Sequence, residues 1–400
     1  MDTPAGESLI ASAREHFPGM REVTYLDLGG RGLLSTEVCA AAEGHLKDAM
    51  YGRVDKDRLF AMTEEAREYF ARLINADPDE ITYTKNISEG LNIVASSLSW
   101  QKGDNVILCP DLEHPNNIYL WLNLQHHGVE VRYVPHCNGH MPVDDMIAAI
   151  DSRTRLLTAS SVTFSPGFRT DIDKLGRACR DRKVIFLVDG AQSAGALHTD
   201  VKSSNIDALA VSTQKGLLGL YGMGFLYVRR ALAEKMHPPY VARFGIDMGN
   251  ADVHESDFGD GTFKFLPAAR RFDIGNYNFV AVSAVHASLQ FLLRIGSKNV
   301  EAHNVGLAHA LSKRLSGLGL PVCGGEPGAH IGGIVTVGQY GSGGDKASSD
   351  ERMNKLYAYL SGNKVKLSMR RGVMRFSFHV YNDMSDVERV VQLAKESGVC

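Results

Sequence analysis

Two residues of this 400-residue chain stand where a sheet could present them to a ligand. Val184 to Val188 is a run of branched and aromatic apolar residues, too short for a core helix and closed by Asp189-Gly190. It predicts a buried strand with Asp189 at its carboxyl end. Ile206 to Val211 is a second apolar run, closed by Ser212-Thr213-Gln214-Lys215, and predicts a strand of the same sheet with a lysine just past its end. Open α/β sheets bind ligands in the crevice beyond the carboxyl ends of their strands. A carboxylate and an amine delivered to one crevice suit pyridoxal 5′-phosphate. The lysine condenses with the cofactor aldehyde, and the carboxylate pairs with the pyridinium nitrogen so that the ring can accept electrons. Taken singly, Asp before Gly is a common turn and a lysine after a strand is a solvated charge, so the combination carries the argument.

The segments D-G-A-Q at 189–192, S-T-Q-K at 212–215 and G-x-G-x-L-Y-V at 222–228 resemble fold-type I pyridoxal phosphate enzymes of aminotransferase class V. That group includes cysteine desulfurases, selenocysteine lyases and isopenicillin-N-epimerase-like enzymes. The resemblance implies that Lys215 carries the cofactor, Asp189 protonates the pyridine and Gln192 bonds the ring 3-oxygen, with Ser212 and Gln214 beside them. Thr84 to Asn92 matches the family pattern T-x-[GN]-x-[ST]-E-[GA]-[IL]-N. This implies a phosphate held by the backbone at Ile87 and by Ser88, at a helix start where free N–H groups attract an anion. Glu113-His114-x-x-Asn117 is similar to the family's Glu-His-x-x-Asn, whose histidine stacks on the pyridine and moves protons, a task suited to a neutral imidazole.

The same resemblance extends to R-x-S-x-x-x-Y-N at 375–382, where Arg375 would fork onto the substrate's α-carboxylate. Arg31, in the loop Gly29-Gly30-Arg31-Gly32, and Ser161 are further candidates for reading substrate. In R-F-D-I-G-N-Y-N at 271–278, Asn276 stands where relatives have a threonine that reaches the neighbouring subunit's phosphate. The resemblance therefore implies a homodimer with shared active sites. Two departures stand out. Desulfurases carry a nucleophilic cysteine on a loop before the arginine, and positions 340–399 contain none; Gln214 replaces the usual histidine and cannot ionise. The form S-x-V-x-F-x-x-G-x-R at 160–169 looks like the epimerase-like branch.

The elements that must position these residues read as α/β with a mostly parallel sheet. Strands are expected at 80–84, 106–110, 129–135 and 155–162, after an amphipathic helix at 5–20 and before a loop-rich stretch at 237–270. From 279 the text turns α+β, with helices at 279–295, 300–317, 351–362 and 385–397 and strands at 332–338, 364–369 and 373–379. The Gly/Ser cluster at 341–349 reads as a surface loop. A chain of 400 residues exceeds what one core fills, which predicts a cofactor-binding large domain, 21–278, and a small domain made of 1–20 and 279–400.

A formal charge of −3 gives no electrostatic case for nucleic acid or an anionic membrane. Six cysteines without C-x-x-C spacing argue against a metal site and a disulfide scaffold and for a reducing compartment. With no apolar signal-peptide core and no run of spanning length, a cytoplasmic enzyme is expected. The expected reaction is α,β-elimination at the C–S bond of a cysteine S-conjugate, in small-molecule biosynthesis of the kind that modifies thiol-linked sugars in lincosamide antibiotics. Class V transamination, epimerisation and decarboxylating or oxidative deamination remain open, because one cofactor frame supports them all.

Overall fold

The computed structural model describes residues 4–247, 262–341 and 343–399. Cys400, the middle of the 237–270 stretch and Ser342 of the Gly/Ser cluster lie outside them. Seven strands form the larger sheet: β1 (Ile81–Thr84), β2 (Asn105–Leu108), β3 (Glu130–Tyr133), β4 (Thr154–Ser160), β5 (Ile185–Asp189), β6 (Ala208–Ser212) and β7 (Gly224–Val228). They lie in the order β3-β2-β4-β5-β6-β7-β1, parallel except for the two pairings made by β7. The sheet is apolar on both faces. Successive strand residues alternate sides, so Ile107, Leu157, Phe186, Val188, Leu209 and Val211 enter one core while Val106, Leu108, Leu156, Leu187, Ala208 and Ala210 enter the other.

Helix α1 (Ile87–Ser97) covers the second face and approaches β6 closely: a Cβ on Gly90 would lie 3.1 Å from that of Ala210. The first face is covered by Lys56–Leu73 and Phe279–Ile295, and Thr36–Met50 packs on the latter; for the helices at 36–50 and 56–73 the sequence predicts no element. The expected N-terminal helix runs only from Pro4 to Ala13 and gives way to two short 3₁₀ turns, the second starting at Pro18.

Three antiparallel strands, β8 (Ile334–Val337), β9 (Ser368–Arg370) and β10 (Val373–Ser377), make the smaller sheet in the order β8-β10-β9. Val335, Met374 and Phe376 bury one of its faces with Leu307, Leu311, Met353, Leu356, Val387 and Val390 from three helices. The N-terminal strand Thr24–Tyr25 pairs with Val365–Lys366 and ties the start of the chain to this unit.

The hydrophobic cores do not part at the expected boundary of 278. Phe279–Ile295 packs into the large unit's core, as do Ala13, Phe17 and Met20, and the chain turns by 81° before Ser297–Ser316 enters the small one. Gly296, at φ 88°, allows that turn. Among the described residues no single helix is long and apolar enough to cross a membrane, and no group of three or more His, Cys, Asp or Glu side chains is placed to hold a metal ion.

Candidate active site

The parallel strands β4, β5 and β6 end side by side, with Ser160 in register with Asp189 and Asp189 with Ala210. Three residues past β6 the chain folds back in a tight loop that presents Lys215. Thr213 anchors it through its N–H to the Met223 carbonyl and its hydroxyl to the Leu220 carbonyl, and Leu218 adopts a left-handed φ of 56°. Two outside contacts fix the loop. The Gly32 N–H donates to the Gln214 carbonyl at 2.8 Å, and His379 Nε2 donates to the Gly216 carbonyl at 2.8 Å. His379 Nδ1 accepts the Val380 N–H, and burial lowers its pKa to about 4, so it acts as a neutral structural donor.

A cavity of about 230 Å³ opens at these strand ends, lined by Asp189, Gln192, Ser212, Gln214, Lys215, His114 and Ile87 together with Ser160, Val162 and Phe164. The sequence-derived cofactor set is thus brought together with the exceptions of Ser88, at its edge, and Asn276. Burial, followed by the neighbouring Arg375 cation, pushes Lys215 down to about 8, so that far more of its amine is neutral near physiological pH than for a solvated lysine, although the protonated form still predominates below about 8. Asp189 is buried, and that raises its pKa. Among the described residues only its Oδ1 has a partner, the Ala191 N–H at 2.9 Å, and it forms no ion pair.

Beneath it lies Glu113, a residue the sequence reading quoted only as part of a motif. Its carboxylate accepts the Ser160 N–H at 2.7 Å, the Ser160 hydroxyl and the Asn117 side-chain amide at 3.0 Å. Burial and the nearby Asp189 raise its pKa. Glu113 thereby fixes the loop that carries His114 to the end of β4. His114 is edge-on to Phe164 at 4.9 Å, and its Nδ1 accepts the Asn116 N–H, which leaves the proton on Nε2. Burial and the cations Lys215 and Arg371 lower its pKa, so the ring is neutral.

At the other end of the cavity, α1 starts with Asn86 as its cap, accepting the Glu89 N–H at 3.0 Å. Ser88 lies within the first turn, not at the cap, and accepts a hydrogen bond from Asn116 Nδ2 at 2.7 Å. The Ser212 hydroxyl is buried and has no partner among the described residues.

These features fit pyridoxal phosphate: an amine whose pKa is lowered so that it is readily deprotonated, an unpaired buried carboxylate for a cationic ring nitrogen, and a helix start with a free buried hydroxyl for a phosphate. Gln192 Nε2 donates to the Gly29 carbonyl at 3.2 Å while still lining the cavity.

Arg375 is 1% exposed. Strand alternation places it, with Ser377, on the face opposite Met374 and Phe376, and that face is turned toward Phe164 and Gly29 and not toward solvent. Its Nη1 donates to the Phe164 carbonyl at 2.7 Å and its Nε to the Ser368 hydroxyl at 3.3 Å. A Cβ on Gly29 would fall 2.9 Å from the guanidinium, so glycine is what lets Arg375 lie there. Nη2 makes no hydrogen bond among the described residues, and burial pushes the group down to about 10.

Three candidates lie elsewhere. The Ser161 hydroxyl is 2.5 Å from that of Ser193 and 3.3 Å from the Asp189 carbonyl, and its flanking residues line the cavity in its place. Arg31 is exposed on its loop, where its carbonyl accepts the Tyr25 hydroxyl at 2.9 Å. Asn276 lines a separate groove with Tyr83, Lys85 and Glu89. Arg169, which closes the epimerase-like motif, is ion-paired with Glu301 at 2.6 Å.

The family model for aminotransferase class-V matches residues 25–390. A probable cysteine desulfurase of Methanothermobacter thermautotrophicus is 30% identical over 397 residues, covering 96% of this chain and 96% of that protein. Among solved structures, the cysteine desulfurase of Thermococcus onnurineus NA1 superposes with a TM-score of 0.82 at 24% identity, over 96% of both chains. The cystine C–S lyase C-DES, in complex with its reaction product cysteine persulfide, superposes with a TM-score of 0.81 at 22% identity, over 94% of this chain and 99% of that one.

Proposed function

The chain belongs to the aminotransferase class V family and works with pyridoxal 5′-phosphate, and from that premise we propose that it is a lyase that cleaves the C–S bond of a cysteine S-conjugate. One observation carries the choice over desulfuration. A desulfurase needs a cysteine at the site to take the sulfur, and none of the five described cysteines lines the cavity. The nearest in sequence to the His114 loop, Cys109, is buried, which pushes its thiol up to about 12 and keeps it from acting as a thiolate. Sulfur therefore leaves with its substituent.

When bound, pyridoxal phosphate supplies an electron sink for the pair left on the substrate's α-carbon. Lys215 holds the cofactor, Asp189 keeps the pyridine nitrogen protonated, and Ile87, Ser88 and Ser212 take the phosphate. Arg375 orients the substrate through its α-carboxylate, with Nη2 as the free donor. Once the substrate amine displaces it, the Lys215 amine is the base that removes the α-proton, a role its lowered pKa supports. The C–S bond then breaks with its electron pair on sulfur, the thiolate takes a proton, and hydrolysis yields pyruvate and ammonia. Neutral His114 stands over the cavity and can pass a proton through Nε2. A homodimer in the cytoplasm, acting in small-molecule or antibiotic biosynthesis, belongs to the same proposal.

The test is to incubate holoenzyme with a panel of cysteine S-conjugates and assay thiol, pyruvate and ammonia, which should appear in equal amounts. Inverted substrate, a 2-oxo acid still bearing sulfur, or a decarboxylated aldehyde would each overturn the lyase and identify the epimerase, transaminase or decarboxylase in its place.

A further inference from the structure

Arg375 has a second guanidinium beside it. Residues opposite one another in an antiparallel pair project to one side, as do residues two apart along a strand. Ser368 lies opposite Arg375, and Arg370 opposite Val373. These four residues therefore share a face, the one from which Arg375 reaches the Phe164 carbonyl and the back of Gly29. Arg370 is the diagonal neighbour of Arg375, about 7–8 Å away at the backbone and within reach of a long side chain.

The partners of Arg370 are backbone carbonyls, those of Met369 at 2.8 Å and Asp345 at 3.5 Å, and among the described residues it forms no ion pair. Its charge reaches the cavity: it contributes to the lowered pKa values of Lys215, His114 and Arg375. Asp345 acts in the opposite sense on His114 and Arg375, so a ligand anion must compete with one carboxylate. The adjacent Arg371 is engaged differently, donating to the Asp111 carbonyl and to the Tyr340 hydroxyl, which closes the small unit onto the His114 loop. With Arg375 on the α-carboxylate, Arg370 is the half-buried cation next along the same face.

We propose that Arg370 determines specificity by pairing with a second anionic group at the distal end of the substrate, so that the preferred amino acids carry an acidic side chain. Among cysteine S-conjugates these are the ones whose S-substituent ends in a carboxylate. The sulfur rests on the lyase reading above; the acid selection needs only that Arg375 holds the α-carboxylate.

Two matched pairs of probes separate the claims, both used with holoenzyme. For L-2-aminoadipate and its side-chain amide, which have no sulfur, the dissociation constant is read from the change in cofactor absorbance. For S-carboxymethylcysteine and its carbamoyl analogue, kcat/KM is read from thiol release. The acid should be favoured over the amide by about tenfold or more, because a site built for a charged partner rejects the neutral isostere. In Arg370→Gln that ratio should fall close to one, and in Arg370→Lys most of it should return. Equal affinity for acid and amide in the unmutated enzyme overturns the proposal whatever the variants do. An unchanged ratio in Arg370→Gln overturns the assignment to Arg370. Acid preference in the sulfur-free pair with no thiol released from any conjugate upholds the second anion site and removes the lyase; thiol release without acid preference does the reverse.

Discussion

At the scale of single residues, the site depends on what burial does to charge. Lys215 is taken to about 8 from an ordinary 10.5 by desolvation and by Arg375 and Arg370, with Asp189 and Asp27 pulling the other way. Only the neutral amine condenses with an aldehyde. Uptake of pyridoxal phosphate by cofactor-free enzyme should therefore be slow at acidic pH, where the lysine is protonated, rise with pH and level off above about 8. Stopped-flow absorbance across a pH series measures this. A rate that keeps climbing toward the ordinary 10.5 would mean that the lysine is solvated, contrary to its position in the cavity. Lys215→Ala should develop no bound-cofactor band at any pH.

At the scale of elements, the segment that carries Asn276 is fixed to the sheet by a buried charge. Asp273 and Arg67 are fully buried and meet at 2.8 Å, and Asp273 also accepts the Thr82 hydroxyl at 2.7 Å on β1. Arg67 donates further to the Ile81 carbonyl, and Arg270 approaches Asp273 at 3.4 Å. Arg67 also pairs with the partly exposed Glu64 at 3.2 Å, so removing Asp273 leaves the buried Arg67 charge only partly compensated, and Asp273→Ala should cost about 3 kcal/mol, the lower end for a broken buried pair. Arg67→Met combined with Asp273→Leu should cost much less than either change alone, since no orphaned charge remains. Urea denaturation of the four proteins of this cycle checks the prediction; additive losses would show that the pair is not coupled.

At the scale of the whole molecule, Asn276 lies outside its own chain's cavity, in a groove bordered by Ile274, which is 43% exposed, and by Gly222, next to Tyr221, which is 60% exposed. Exposed apolar residues around a polar groove suit a second copy of the chain, in line with the proposed homodimer. If Asn276 serves the neighbour's phosphate, mixing Lys215→Ala chains with Asn276→Ala chains should restore activity that neither variant has alone. Their heterodimer places both lesions in one site and leaves the other intact. Sedimentation of an active monomer, or no recovery on mixing, would end the idea.

Local pattern sufficed for those features that depend on neighbours in the chain. Short apolar runs closed by Asp189 and Ser212 marked β5 and β6, because a strand's identity follows from a two-residue period and a turn. The helices at 279–295 and 351–362 were legible to the residue, since an amphipathic period is written along the chain. Lys215, Asp189, Gln192, His114 and Arg375 were each proposed from motifs whose members stand close in sequence. Only tertiary structure decided which side chains share a cavity. It turned Ser161 away and Ser160 inward, buried Glu113 under Asp189, and set His379 of the small unit against the lysine loop. It also placed Arg370 beside Arg375 and the helix Phe279–Ile295 in the large unit's core. These depend on strand register, on which face of a sheet meets another unit, and on desolvation by distant residues, and none of the three is encoded within a short window of sequence.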